Sequence, residues 1–214
     1  MGQVLFVDAN VLYSRTLRDW LFLLRFADPD RLTVFTSEDV LAETVYRYRR
    51  NHPDAPGRLI AAIRSTIVNS LSDIVTDYQI DGSFLGGDID DRHVHAAALA
   101  CGADVLLTDD QGFVGHRHGY DVVRPDPFFV AVDDSDPALV SRVTAQQVDY
   151  WTSRRGTSRL PEALEAAGCP QFAERVQQHQ HALGPWQPSE TDPDEAGVDE
   201  AGDRAGHPSP HKFL

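Results

Sequence analysis

Apolar positions come first as an unbroken run, then in helical spacing, and that alternation repeats down the chain. Residues 3–8, which run into "VLFVDANVL" (4–12), form a continuous apolar strand of the kind covered on both faces in a parallel sheet. Leu17, Leu21 and Leu24 set helical spacing over 14–26, and Pro29 closes that helix. A second strand is predicted at 31–37. Ser37 is a natural N-cap there, with Glu38 and Asp39 in the favoured first turn. The helix it opens runs to about Asn51, with Val40, Leu41, Thr44, Val45 and Tyr48 as its buried face, until Pro53, Pro56 and Gly57 break it. Further helices are predicted at 58–71 and at 88–103, the latter closed by Gly102. Strands are predicted at 104–108, at 120–125 and, shorter, within 73–80.

Strands alternating with helices predict an α/β domain in three layers, with a mainly parallel central sheet flanked by helices. It should end near Pro127. Helices at 136–151 and 159–181 follow, separated by "TSRRGTS". The expected organisation is an α/β domain at 1–130, a helical C-terminal extension at 131–182 and an acidic tail at 183–214. The tail is rich in Pro, Gly, Ala and Asp, lacks an apolar period and reads as disordered.

Charge sharpens this picture. The net charge is −14, but the segment from Ala182 onward carries seven acids against Arg204 and Lys212, which leaves the body near −9. Such a balance argues against a general nucleic-acid coat. Two cysteines, Cys101 and Cys169, exclude a disulfide scaffold and suit free thiols in a reducing cytoplasm. No run reaches the 18 or so apolar residues of a membrane helix. Strand-like sequence already begins at Gln3, so no signal peptide is expected.

In parallel sheets, sites form outside the carboxyl ends of the strands. Four pieces of chain bring acids there. Asp8 ends one strand, with Asn10 just beyond. Thr108, Asp109 and Asp110 end another. Glu43 lies on the helix after Ser37, and "DIDD" (88–91) opens a further helix. Oxygen-rich clusters of this kind suit Mg²⁺ or Mn²⁺ rather than zinc. Each acid also has a plainer reading: Asp8 as a cap, Glu43 as the partner of Arg47, Asp90 or Asp91 as helix-start residues, Asp109 and Asp110 as a turn. His93 and His95 lie two apart on one helix without a cysteine partner, which argues against zinc, as it does for the histidines of "GHRHG" (115–119).

"FVDANVL", "SEDVLAETV" and "DDRHVHAAALACGADVLLTDDQGF" together resemble the PIN-domain ribonucleases, in particular the VapC-like toxins of bacterial toxin–antitoxin pairs. The resemblance covers residues 3–127. It implies that Asp8, Glu43, Asp91 and Asp109 are the acidic catalytic and metal positions, with Asn10 and Thr108 as supporting polar groups. Asp88 and Asp90 are neighbours that could shift the assignment by a residue, and Asp110 either assists or turns the chain. The implied chemistry is metal-assisted hydrolysis of RNA by one or two Mg²⁺ or Mn²⁺ ions per site, without a covalent protein intermediate. Crowded carboxylates should raise at least one pKa when metal is absent.

RNA needs positive charge nearby. Arg47, Arg49, Arg50 and Arg58, interleaved with Tyr46 and Tyr48, could meet phosphates, or could simply be a solvated helix end. "WTSRRGTSR" (151–159) is a second basic loop led by an aromatic residue. The implied partners are an RNA substrate, a cognate antitoxin protein and a second copy of the chain; the acidic tail is either a nucleic-acid mimic or idle. The alternatives are a catalytically silent PIN-like protein- or RNA-binding module and, more remotely, a haloacid-dehalogenase-type phosphohydrolase. The latter would want D-x-D where this chain has Asp8-Ala9-Asn10, and a lysine that the body lacks. No glycine-rich loop follows the first strand to suggest a nucleotide-cofactor fold.

Overall fold

The first strand, β1 (Gln3–Val7), is the middle strand of the sheet. Leu5, Phe6 and Val7 are fully buried because layers cover both faces. The structure is a computed structural model that describes residues 2–86, 88–113 and 119–184. The acidic segment beyond 184 and His116 and His118 lie outside the described residues. With β2 (Leu32–Ser37), β3 (Asp73–Val75), β4 (Val105–Leu107) and β5 (Asp121–Val123), β1 forms a five-stranded sheet in the order β3-β2-β1-β4-β5. Every pairing is parallel, with Leu5 beside Val105 and Phe6 beside Phe35. The expected α/β sandwich with a parallel sheet is therefore present.

The order places the site. From β1 the chain builds outward through β2 and β3, then crosses back over β1 to add β4 and β5. The direction of winding reverses between β1 and β4, the position at which open parallel sheets form a crevice outside the carboxyl ends. Asp8 follows β1, and Thr108 follows β4.

Some elements differ in detail. A short helix, α1 (Ala9–Tyr13), precedes α2 (Arg15–Ala27), because Ser14 breaks the run and caps α2 through the Leu17 N–H at 3.4 Å. Ser37 caps α3 (Glu38–Asn51), accepting from the Val40 N–H, and α4 (Gly57–Ser70) follows. The predicted helix 88–103 begins as a 3₁₀ turn, Ile89–Asp91, and becomes α5 (Arg92–Ala100). It is closed at Gly102, whose φ of 63° suits glycine. The strand expected within 73–80 is only three residues long.

Beyond β5, the chain makes four helices where two were expected: α6 (Pro125–Ser135), α7 (Pro137–Arg155), α8 (Leu160–Ala166) and α9 (Pro170–Leu183). They pack on α2. The Trp20 ring meets Phe172 edge-on at 4.9 Å, and Phe129 stacks on Phe172 at 5.0 Å. Buried Asp126 of α6 accepts from the Phe172 N–H at 2.8 Å and so caps α9 from a distance. One hydrophobic cluster runs unbroken from the sheet into these helices. Both cysteines are free, Cys169 buried and Cys101 half-buried. No helix of the described residues is long and apolar enough to cross a membrane.

Candidate active site

Asp8 sits at the turn from β1 into α1, and its carboxylate is almost wholly buried. Oδ1 accepts from the Ala9 N–H at 2.6 Å. Oδ2 accepts from the Thr108 hydroxyl at 2.6 Å and from the Asn10 amide at 2.7 Å. Thr108 Oγ1 in turn accepts from Asn10 at 3.0 Å and from the Asp110 N–H at 3.0 Å, while Asn10 Oδ1 accepts from the Asp109 N–H at 3.1 Å. Asn10 and Thr108 thus tie the end of β1 to the end of β4. Burial raises the Asp8 pKa; the Thr108 and Ala9 hydrogen bonds pull it back, and the Glu43 charge adds to the rise.

Asp91, at the end of the 3₁₀ turn, faces this knot. Its Oδ2 is buried without a hydrogen-bond partner. Burial pushes its pKa up to about 7, with the charges of Asp110, Asp88, Asp8 and Glu43 adding in that order. Gly112 presses against it: a Cβ there would stand 2.5 Å from Asp91 Oδ2. Asp110 Oδ1 accepts from the Gly112 N–H at 2.7 Å, so the turn that carries Asp110 also brings Gly112 against Asp91. Glu43, reaching in from α3, is held by Arg47 at 2.6 Å, four residues on.

The other expected residues are placed differently. Asp109 pairs with Arg124 at 2.7 Å, and its carboxylate is half-exposed. Its charge also acts on Cys169, under the C-terminal helices. The acid of that pair whose charge weighs on Asp91 is Asp110. Asp88 accepts from the Asp90 N–H and shapes the 3₁₀ turn, while Asp90 is exposed. Arg49 donates to the carbonyls of Pro53 and Ala55, so it braces the loop after α3; Arg50 and Arg58 are exposed. His95 is a satisfied core histidine between Tyr120 and Ser83. Two groups escaped the sequence reading. Arg124 had no signal beyond being basic at a strand end. Gly112 had one, a glycine two residues after the paired acids.

A family profile described as the PIN domain matches residues 4–112, just over half of the chain. The matched span carries Asp8, Glu43, Asp91, Asp109 and Asp110 on the strands and helices just described. The chain belongs to the PIN-domain family. No curated protein and no solved structure matches it. PIN domains are typically nucleases and generally use divalent metals.

Among the described residues, no three His, Cys, Asp or Glu side chains of this PIN domain already converge as ligands of one ion. Arg47 and Arg124 hold two of the acids by ion pairs. The donors nevertheless fit a hard divalent cation. All are oxygens, Asp91 Oδ2 is orphaned, and a carboxyl that keeps its proton to about pH 7 would release it to a cation.

Proposed function

We propose that this PIN domain is a Mg²⁺- or Mn²⁺-dependent endoribonuclease, the toxin of a toxin–antitoxin pair, working in the cytoplasm. The observation that supports this reading best is the orphaned Asp91 oxygen, on a carboxyl close enough to Asp8, Glu43 and Asp110 to feel their charges. Asp8 and Asp91 would hold the cation, with Glu43 and Asp110 nearest to complete the set. Asp109 would join them by leaving Arg124. When bound, the cation supplies a nucleophilic water near neutral pH and offsets charge on the phosphate oxygens.

The remaining work falls to the chain itself. Thr108 and Asn10 fix the Asp8 carboxylate, so that it does not have to reorganise as charge develops. Gly112 leaves room for Asp91 to reach the crevice. Arg47 holds Glu43 until a stronger partner arrives. Arg50 and Arg58 are free to meet RNA phosphates beside the acids, with Arg47 available once Glu43 is engaged elsewhere. An antitoxin would silence the site by placing a basic group among these carboxylates.

The test is Mn²⁺ binding by calorimetry on the wild type, Asp8→Asn and Asp91→Asn. Saturable binding by the wild type that both substitutions weaken by more than about tenfold is the expected result; that exceeds the low end of what losing an outer-shell partner costs. A folded wild type that binds no Mn²⁺ would sink the nuclease reading. The second reading, a catalytically silent binding module, would then stand. It draws on the arginines already paired with Glu43 and Asp109.

A further inference from the structure

A second cleft, of about 280 Å³, opens between the first turn of α2, the C-terminal half of α7 and the start of α8. Two guanidinium groups approach the Trp151 ring, Arg155 at 4.4 Å and Arg15 at 5.3 Å from its centroid. Arg159 adds a third positive charge to the lining. The acid among them, buried Asp19, is already met by Arg15 at 3.3 Å, so the cleft carries an excess of positive charge. Gln147 also lines it. Its side chain is 97 % buried, and its Nε2 donates to nothing. A buried amide donor without a partner is uncommon, and at the wall of the cleft it is a group that an acceptor brought there would satisfy.

We infer that this cleft binds one unpaired nucleotide of a single-stranded RNA, the base against Trp151, a base acceptor on the Gln147 amide and the phosphate on Arg155 and Arg159. The parts match that ligand. An aromatic face flanked by guanidiniums stacks any base, the arginines meet the backbone, and the volume suits a single nucleotide rather than a length of peptide. The position matches too. α2 joins two parallel strands, so it runs back against them, and its first turn lies at the same carboxyl edge as the acids. Arg15 follows Asp8 by seven residues, which keeps their Cα atoms within about 25 Å. The substrate class rests on the nuclease reading. The binding chemistry does not.

The experiment therefore measures binding without metal: fluorescence anisotropy of a labelled single-stranded RNA octamer in EDTA, on the full chain. Trp151→Leu, Arg155→Gln and Gln147→Leu are each expected to weaken binding by about tenfold, within the range that removal of a stacked base partner costs. Trp151→Phe, which keeps a ring, should stay within about threefold of wild type. Arg142→Ala, an exposed arginine of the same helix that does not line the cleft, should bind as wild type. Melting curves confirm that each variant is folded. Competition by nucleoside monophosphates would assign recognition to a single nucleotide, free or in a chain. Variant-sensitive RNA binding that they do not displace would assign it to the chain. Wild-type affinity in both Trp151→Leu and Arg155→Gln overturns the inference, as does a loss that Arg142→Ala shares or a poly-glutamate peptide that outcompetes the RNA. Failure here with intact Mn²⁺ binding leaves the nuclease reading standing; the reverse outcome leaves only the cleft.

Discussion

Asp91 and Gly112 show how small the margin is around the acids. A methyl group at residue 112 would stand 2.5 Å from Asp91 Oδ2, and that oxygen is already buried without a partner. Gly112→Ala should therefore displace the Asp91 carboxylate and weaken Mn²⁺ binding in calorimetry while leaving the far-ultraviolet circular dichroism unchanged. Protonation has a defined sign. The folded pKa of Asp91, about 7, lies above its unfolded value near 3.9, so the acid form favours folding below about pH 3.9 and that advantage is lost as pH rises through 7. Metal-free Asp91→Asn should therefore melt above the wild type at pH 8 and approach it near pH 4. Mn²⁺ competes with the same proton, so wild-type affinity should fall as pH drops from 8 to 6. Thr108→Val removes a buried donor to Asp8 and an acceptor for Asn10 and Asp110 at once. It should cost about 1–3 kcal/mol in urea denaturation and about 10–100-fold in Mn²⁺ affinity. That crowded acids would raise a carboxyl pKa was expected from the sequence; which acid carries the shift was not legible from residue types. Asp109 and Asp110 are chemically equal in sequence; only backbone geometry turns one to Arg124 and the other toward Asp91.

At the scale of elements, pattern carried the strands and the long helices. β1, β2 and β4 are apolar runs with no competing helical period. Ser37 stands where a cap belongs. Short or proline-led elements were harder. α1 is too brief for a period, and α6 begins at Pro125, a residue that also ends segments. Proline at the first helical position needs no N–H, so there it starts a helix rather than stopping one. The same ambiguity hid the break between α8 and α9, where Gly168 has a φ of 83° and Pro170 opens the next helix. The packing of these helices makes a prediction of its own. Phe172 is fully buried between Trp20 and Phe129. Phe172→Ala should cost about 3–5 kcal/mol, and it should lower one cooperative transition rather than split it, because the cluster is continuous with the sheet.

Over the whole molecule, charge is segregated rather than balanced. The carboxylates gather at the β1/β4 crevice, while Arg15, Arg155 and Arg159 face a separate cleft at the same edge of the sheet. A cation bound only by the folded form should raise the melting temperature. At a hundredfold excess over Kd, Mn²⁺ should add about 2.7 kcal/mol, or roughly 5–11 °C for a chain of this size, and Asp91→Asn should cut the increment by about half or more in a thermal scan. The winding of the sheet has a temporal consequence as well. A ribosome makes Asp8 a hundred residues before Thr108, whose hydroxyl holds its carboxylate. A half-made chain carries this acid but not its partners, so whatever this site does is withheld until the polypeptide is long enough to lay β4 beside β1.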